Sequence, residues 1–365
     1  FGFRFRAPLD AAAKKIINRV NAAATIRLRA AVDLPSGVGE ATAKSPFRAD
    51  FTYATGILKA PLLSAPAAGR LRYLDFGFFS GNSASRAGER VLTAELLRPL
   101  TVLRPSRSDK RSYGHVFVIG GSRGLPGAVL MAVLAALRSG VGLVTAFVPE
   151  PLVAEFAARA PEAMWVGWPV TSGGGLAMGG LHLLQEKLPR AKALVIGPGL
   201  GREAETLKLA CEIVRIAPIP LAIDGDALQP RIVRSGRAPR VLTPHAGEFK
   251  RISQGAGLRA FCRQANATTV LKGPVTQICS YKNDTIYHSL FGGPVLARGG
   301  SGDVLAGLIG GLLAQTPGEP LLAACRGVVW HGLAADELAR KRGQAAARTT
   351  ESIDFLPSIL RNPPT

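Results

Sequence analysis

The chain has 365 residues, 45 Lys/Arg against 25 Asp/Glu for a formal charge of +20, and 47% hydrophobic residues. That apolar content excludes a disordered polymer, and the length is enough for two domains with sizeable cores. The longest apolar runs, 128–137 and 304–314, fall well short of the roughly 20 residues that cross a bilayer, so no membrane segment is expected.

Four cysteines, Cys211, Cys262, Cys279 and Cys325, are scattered without a C-x-x-C pair or a histidine cluster. This argues against a zinc site and fits reduced thiols in the cytoplasm. The positive charge raises nucleic acid as a partner. It is spread mostly as arginine, however, and aromatics make up 6% without interleaving with the basic residues. Surface charge that draws in anionic small molecules is the preferred reading, with a basic nucleic-acid binder as the minor alternative. The first residue is Phe1 and no signal-peptide pattern follows it. The chain is therefore expected to begin inside a longer parent.

In chain order, 11–21 reads as helical and 26–34, 51–55 and 71–76 as extended. These few elements make a poor independent domain and look like the tail of one. The Ser- and Gly-rich stretch that follows reads as a linker, placed at 83–95 between a leading segment, 1–82, and a main domain, 96–365. In the main domain strands and helices alternate. Strands are expected at 115–119, 143–148, 193–196, 221–223, 240–242, 268–271, 275–280 and 285–289. Helices are expected at 128–139, 149–159, 203–216, 303–315, 321–341 and 352–360, and 171–180 reads as loop. Such alternation predicts a mostly parallel, three-layer α/β sheet, with ligands at the carboxyl ends of its strands.

Nearly every Gly/Asp/His cluster falls at such an end. Gly299–Gly300–Ser301–Gly302–Asp303 precedes an apolar helix. Its small residues let several N–H groups converge near a positive helix end, and Asp303 stands beside them. An anion hole with an adjacent carboxylate is what phosphoryl transfer to a hydroxyl requires. The alternative is a glycine-rich turn with Asp303 serving only the helix dipole. The turn 120–128 is not a P-loop, since no Gly-Lys-Ser/Thr follows, and with Gly197–Gly201 it is a weak signal alone. Asp224 and Asp226 suit either a hydrated Mg2+ or a helix cap. His245, displayed after Thr243–Pro244, reads as a ligand contact in preference to a structural histidine. Lys272–Gly273–Pro274–Val275–Thr276 reads as a phosphate contact or as a plain hairpin turn with an exposed lysine.

Taken in order, VIGGSRGLPGAVLMAVLAALRSGVGLV, VIGPGLG, IDGDAL, LTPHAGEF, VLKGPVTQI, GGPVLARGGSGDVLAGLIGGLLAQ and GVVWHGLAAD resemble the ADP/ATP-dependent NAD(P)H-hydrate dehydratase family. The resemblance covers essentially 113–340 and implies a ribokinase-like fold. It further implies repair of hydrated NADH and NADPH: ADP or ATP, with Mg2+, phosphorylates the ring hydroxyl, and elimination of phosphate restores the cofactor. On this resemblance Asp303 is the base and the Gly300 to Gly302 N–H groups form the anion hole. Ala128, Gly199 and His245 line the hydrate pocket, while Lys272, Gly273, Pro274, Val275, Thr276 and Gly302 meet the nucleotide. Gly293 stands where the family usually has asparagine, Ser301 replaces threonine, and the segment 349–352 departs from the usual pattern.

The leading residues FGFRFRAP, AVDLPSG and ADFTYATGILKAPLL resemble the end of an NAD(P)H-hydrate epimerase domain, a partial Rossmann-like α/β unit. Asp33 would be a hydrate contact and Ser36 a K+ ligand there. The Asn- and Asp-rich motif completing that site is expected before Phe1, so this chain is not expected to epimerise. The resemblance favours a cytoplasmic, homo-oligomeric lyase acting on small molecules, without nucleic acid or membrane. The alternative enzyme is a ribokinase-like kinase acting on a vitamin-precursor alcohol, because the superfamily shares the GGSGD arrangement.

Overall fold

A computed structural model describes residues 9–39, 45–77 and 88–361. The chain divides into two compact units, Phe1–Ala87 and Gly88–Thr365. The motif Phe1–Pro8 and residues 83–87 of the expected linker lie outside the described residues.

The first unit holds helix α1 (Ala11–Ala22) and strands β1 (Ala30–Val32), β2 (Phe51–Thr55) and β3 (Arg70–Leu74). Asp10 caps α1 by accepting from the Ala13 N–H at 2.7 Å. The strands pair in parallel in the order β1-β2-β3.

The second unit begins with β4 (Glu89–Val91), β5 (His115–Ile119), α2 (Pro126–Arg138), β6 (Leu143–Pro149), α3 (Val153–Arg159) and β7 (Met164–Trp168). Then come α4 (Leu181–Lys187), β8 (Ala193–Ile196), α5 (Ala204–Ile216), β9 (Leu221–Ile223), α6 (Pro230–Val233), β10 (Arg240–Leu242), α7 (Ala246–Ser253) and α8 (Leu258–Ala265). The unit closes with β11 (Thr268–Leu271), β12 (Thr276–Ser280), β13 (Asn283–Ser289), α9 (Ser301–Gln315), α10 (Pro320–Arg342) and α11 (Glu351–Arg361).

One ten-stranded sheet, ordered β4-β13-β12-β11-β10-β9-β8-β5-β6-β7, organises this unit. It is parallel from β11 to β7, and β12 runs antiparallel to both its neighbours. Residues 89–91, placed in the linker by the sequence, instead form edge strand β4 and pair in parallel with β13. Three residues, two of them charged, carry no readable period, so only the pairing reveals the strand.

Central strands are buried on both faces, as a covered parallel sheet demands. The period of two then sorts their side chains. Val116, Val118 and Val195 enter a core with α2, α9, α10 and α11, whereas Phe117, Ile119 and Ile196 enter the opposite core with α5 and α8. The first face is built from small residues, and α9 exploits this. A Cβ on Gly307 would strike the Ala132 carbonyl of α2, and one on Gly310 would strike Val195 of β8. The glycines let α9 lie hard against α2 and the sheet, which aims its N-terminus at the carboxyl ends of the strands.

Candidate active site

The chain turns at the end of every central strand, and the turns interlock. The Gly121 N–H after β5 donates to the Pro198 carbonyl after β8 at 2.8 Å. Gly199 has φ +62° and lies so close to the neighbouring turn that an added Cβ would sit 2.9 Å from the Ala128 Cβ. Ala128 and Gly199, both expected to line one pocket, are thus brought side by side.

Asp224, at the end of β9, is buried and accepts from the Thr243 hydroxyl at 2.6 Å and from the Lys272 ammonium at 3.1 Å, all on Oδ1. Lys272 is therefore not the free exposed lysine of a hairpin turn. Its side chain is 22% exposed, and its backbone N–H donates to the Pro244 carbonyl at 2.8 Å. Burial alone pulls the Lys272 ammonium down, but Asp224, Glu248 and Asp303 outweigh it and hold it above its usual value. Beyond it, Gly273 and Pro274 are exposed, Val275 and Thr276 half-buried, and the Thr276 hydroxyl donates to the Gly273 carbonyl at 3.4 Å.

The start of α9 closes the site. Gly300 adopts φ +90°, and a Cβ there would collide with Met131. The Ser301 hydroxyl donates to the Leu296 carbonyl at 2.7 Å, and the Thr349 hydroxyl donates to the Gly299 carbonyl at 2.8 Å. The departing segment 349–352 thus still braces the loop. An added Cβ on Gly302 would lie 2.9 Å from Lys272 Nζ and 3.6 Å from Asp224 Oδ2. The first turn of α9 therefore faces the Lys272–Asp224 pair across a narrow gap. Burial pushes the Asp303 carboxyl up to about 7, Asp224 adds to the rise, and Lys272 opposes it. A half-buried carboxyl titrating near neutrality beside a helix N-terminus and a fixed cation can accept a proton while backbone donors there hold an anion.

His245 takes the structural role that was the alternative to a ligand contact. Its Nδ1 accepts from the Gly247 N–H at 3.0 Å and the Glu248 N–H at 3.3 Å, while Glu248 accepts from the His245 N–H at 2.8 Å. This reciprocal cap starts α7. It commits Nδ1 as acceptor and leaves Nε2 to carry the proton, 3.5 Å from Glu248 Oε1 on a side chain 62% exposed. The spacing of His245 and Glu248 was the signal available. Asp226 is likewise engaged, accepting from the Gly201 N–H at 3.1 Å and from Arg202 Nε at 2.8 Å.

In the first unit, Asp33 follows β1 with φ +70° and pairs with the Lys59 ammonium, and its N–H donates to the Tyr53 carbonyl at 2.7 Å. Ser36 is half-buried in the next turn, its carbonyl accepting from the Phe47 N–H at 2.9 Å.

The model of a family described as NAD(P)H-hydrate dehydratase matches residues 116–358. The bifunctional NAD(P)H-hydrate repair enzyme Nnr of Moorella thermoacetica is 36% identical over 384 residues, covering 99% of this chain and 72% of that protein. A ribokinase-like superfamily protein of Enterococcus faecalis has a solved structure with a TM-score of 0.65 at 31% identity, over 75% of this chain and 96% of that chain. The ADP/ATP-dependent NAD(P)H-hydrate dehydratase of Bacillus subtilis, co-crystallised with ATP/Mg2+, gives 0.63 at 28% identity, over 74% of this chain and 98% of that chain. With its ribokinase-like sheet and its match over most of the second unit, the chain belongs to the NAD(P)H-hydrate dehydratase family.

Proposed function

We propose that the chain restores NADH and NADPH from their hydrated forms, using ADP or ATP as phosphoryl donor. The observation that carries this is the meeting of Gly302, the Lys272–Asp224 pair and the Asp303 carboxyl at one end of the sheet. Asp303 takes the proton of the ring hydroxyl as the hydroxyl oxygen attacks the terminal phosphorus of the nucleotide, whose phosphoanhydride bond breaks to release AMP or ADP. The N–H groups of Gly300 to Gly302 and the Lys272 ammonium hold the migrating phosphoryl oxygens. The ring then loses a proton from the neighbouring carbon, the C–O bond breaks, and inorganic phosphate leaves with the reduced nicotinamide re-formed. Ala128, Gly199 and His245 border the hydrated dinucleotide in this reading, and 272–276 follows the nucleotide.

Magnesium suits the donor set only as an ion carried on nucleotide phosphates. Among the described residues no group of three or more His, Cys, Asp or Glu side chains could hold a metal by itself. A hydrated Mg2+ needs only one or two carboxylates besides phosphate oxygens. Asp224 offers Oδ2 for this, whereas both oxygens of Asp226 are taken. The ion would neutralise charge on the transferred group.

Among the described residues no helix is long and apolar enough to cross a membrane. A cytoplasmic setting, a homo-oligomer, and small molecules rather than nucleic acid as partners complete the proposal, since the substrates are nucleotides of central metabolism. K+ at Ser36 and a hydrate contact at Asp33 belong to the leading unit and rest on its epimerase resemblance.

The experiment is to incubate hydrated NADH with ADP or ATP and Mg2+ and to follow reduced-nicotinamide absorbance and inorganic phosphate together. Both should rise in equal amounts. A phosphorylated product accumulating without phosphate release would support the kinase alternative instead. No absorbance recovery with either nucleotide would overturn the proposal.

A further inference from the structure

Arg202 directly follows the Gly197–Gly201 turn, three residues after the Gly199 that meets Ala128, and precedes α5. Its side chain is 66% exposed, yet its direction is set from below. Asp226, 16% exposed, takes the Gly201 N–H on one oxygen and Arg202 Nε on the other. One carboxylate thereby fixes both the backbone before Arg202 and the root of its guanidinium. Glu248 also acts on the guanidinium and raises it further, after Asp226.

Other acids near this corner face elsewhere. Glu203 accepts from the Thr171 hydroxyl at 2.6 Å and the Gly175 N–H at 3.3 Å, and Glu205 accepts from the Met178 N–H at 2.8 Å. Both are tied to the loop between β7 and α4. A guanidinium carries five donors in a rigid fork, and the pairing with Asp226 uses only Nε. The Nη edge stays open toward solvent. An exposed ion pair of this kind adds little stability, so folding by itself gives no reason for the arrangement. Holding a bidentate phosphate donor in place before ligand arrives does give one, because the ordering cost is met by the fold.

We propose that Arg202 binds a phosphate of the hydrated dinucleotide through its Nη edge, with Asp226 as its positioning residue. This rests on the dehydratase reading above. The shared chemistry is a phosphate oxygen pair, supplied either by the pyrophosphate common to both dinucleotides or by the 2′-phosphate of the NADPH form.

The test uses NADH and NADPH as binding probes, titrated by nicotinamide fluorescence against the intact chain and its Arg202→Ala, Arg202→Lys and Arg202→Gln variants. Turnover of both hydrates is measured alongside. Arg202→Ala and Arg202→Gln should weaken dinucleotide binding and raise KM for the hydrate about five- to ten-fold, with kcat and the nucleotide KM unmoved. Arg202→Lys should recover part of the loss. Asp226→Asn should raise the same KM, and should add little in an Arg202→Ala background. Equal losses for both probes assign the pyrophosphate, and a loss confined to NADPH assigns the 2′-phosphate. Unchanged binding of both probes in Arg202→Ala, or no binding of either probe to the intact chain, overturns the inference. Absence of turnover in an intact chain whose probe binding still depends on Arg202 would instead overturn the dehydratase reading alone.

Discussion

Asp303 shows how a burial pattern becomes chemistry. Its carboxyl moves from an ordinary 3.8 to about 7 because it is half-buried near Asp224, with Lys272 only partly offsetting the shift. As a base it must be ionised, so kcat/KM for the hydrate should rise with pH through about 7 and level off above. A flat profile from pH 6 to 8 would remove Asp303 from that role. The same shift acts on stability with the opposite sense to most acidic residues. The folded state binds the proton more tightly than the unfolded chain, so stability is lost as pH rises from near 4 toward 7. Asp303→Asn should therefore cut turnover by about 10²- to 10⁴-fold while raising the melting temperature more at pH 8.5 than at pH 5. Nucleotide binding, read by calorimetry, should survive. Lys272→Ala removes the ammonium partner of an Asp224 side chain only 4% exposed. It should cost about 3 kcal/mol of stability in chemical denaturation and raise the nucleotide KM more than it lowers kcat. His245 and Asp226 show the limit of residue types read alone. The sequence displays both at strand ends, but it does not say that each already serves a backbone N–H.

The key element is α9, whose position depends on side chains that are absent. Gly307 packs against the Ala132 carbonyl and Gly311 against the Ser139 hydroxyl. Backbone cannot yield as a rotamer can, so Gly307→Ala should destabilise the protein by about 1–3 kcal/mol. It should also lower kcat by displacing the N–H groups that follow Gly300. Gly318→Ala, where a Cβ meets nothing within 4 Å, is the matched control and should leave both unchanged. Elements with a strong period were legible: the expected strands 115–119 and 193–196 and the expected helix over 303–315 match β5, β8 and α9 within two residues. Strands β4 and β7 and the short helices α4, α6 and α8 were not foreseen. Each is eight residues or fewer and is stabilised by sheet pairing or tertiary burial more than by local propensity.

At the scale of the molecule, the second unit holds the ten-stranded sheet and every dehydratase residue proposed above. The Bacillus subtilis dehydratase aligns over 98% of its own length with only 74% of this chain. A chain beginning at Gly88 should therefore fold and restore hydrated NADH with a kcat within about two-fold of the intact chain, since distant independent parts contribute additively. Loss of all activity in a folded 88–365 fragment would show that the leading unit contributes to the reaction. The amino-acid sequence by itself determined the alternation of strand and helix, the parallel α/β class, the placing of Lys272 and His245 at strand ends and that of Gly300, Gly302 and Asp303 at a helix start. Periodicity and turn chemistry are local and survive in one dimension. Only the tertiary structure decided the antiparallel turn of β12, the edge pairing of β4 and the partnership of Lys272 with Asp224. It alone decided the proton affinity of Asp303 too, because pairing, burial and Coulomb interactions depend on distances between residues far apart in the chain.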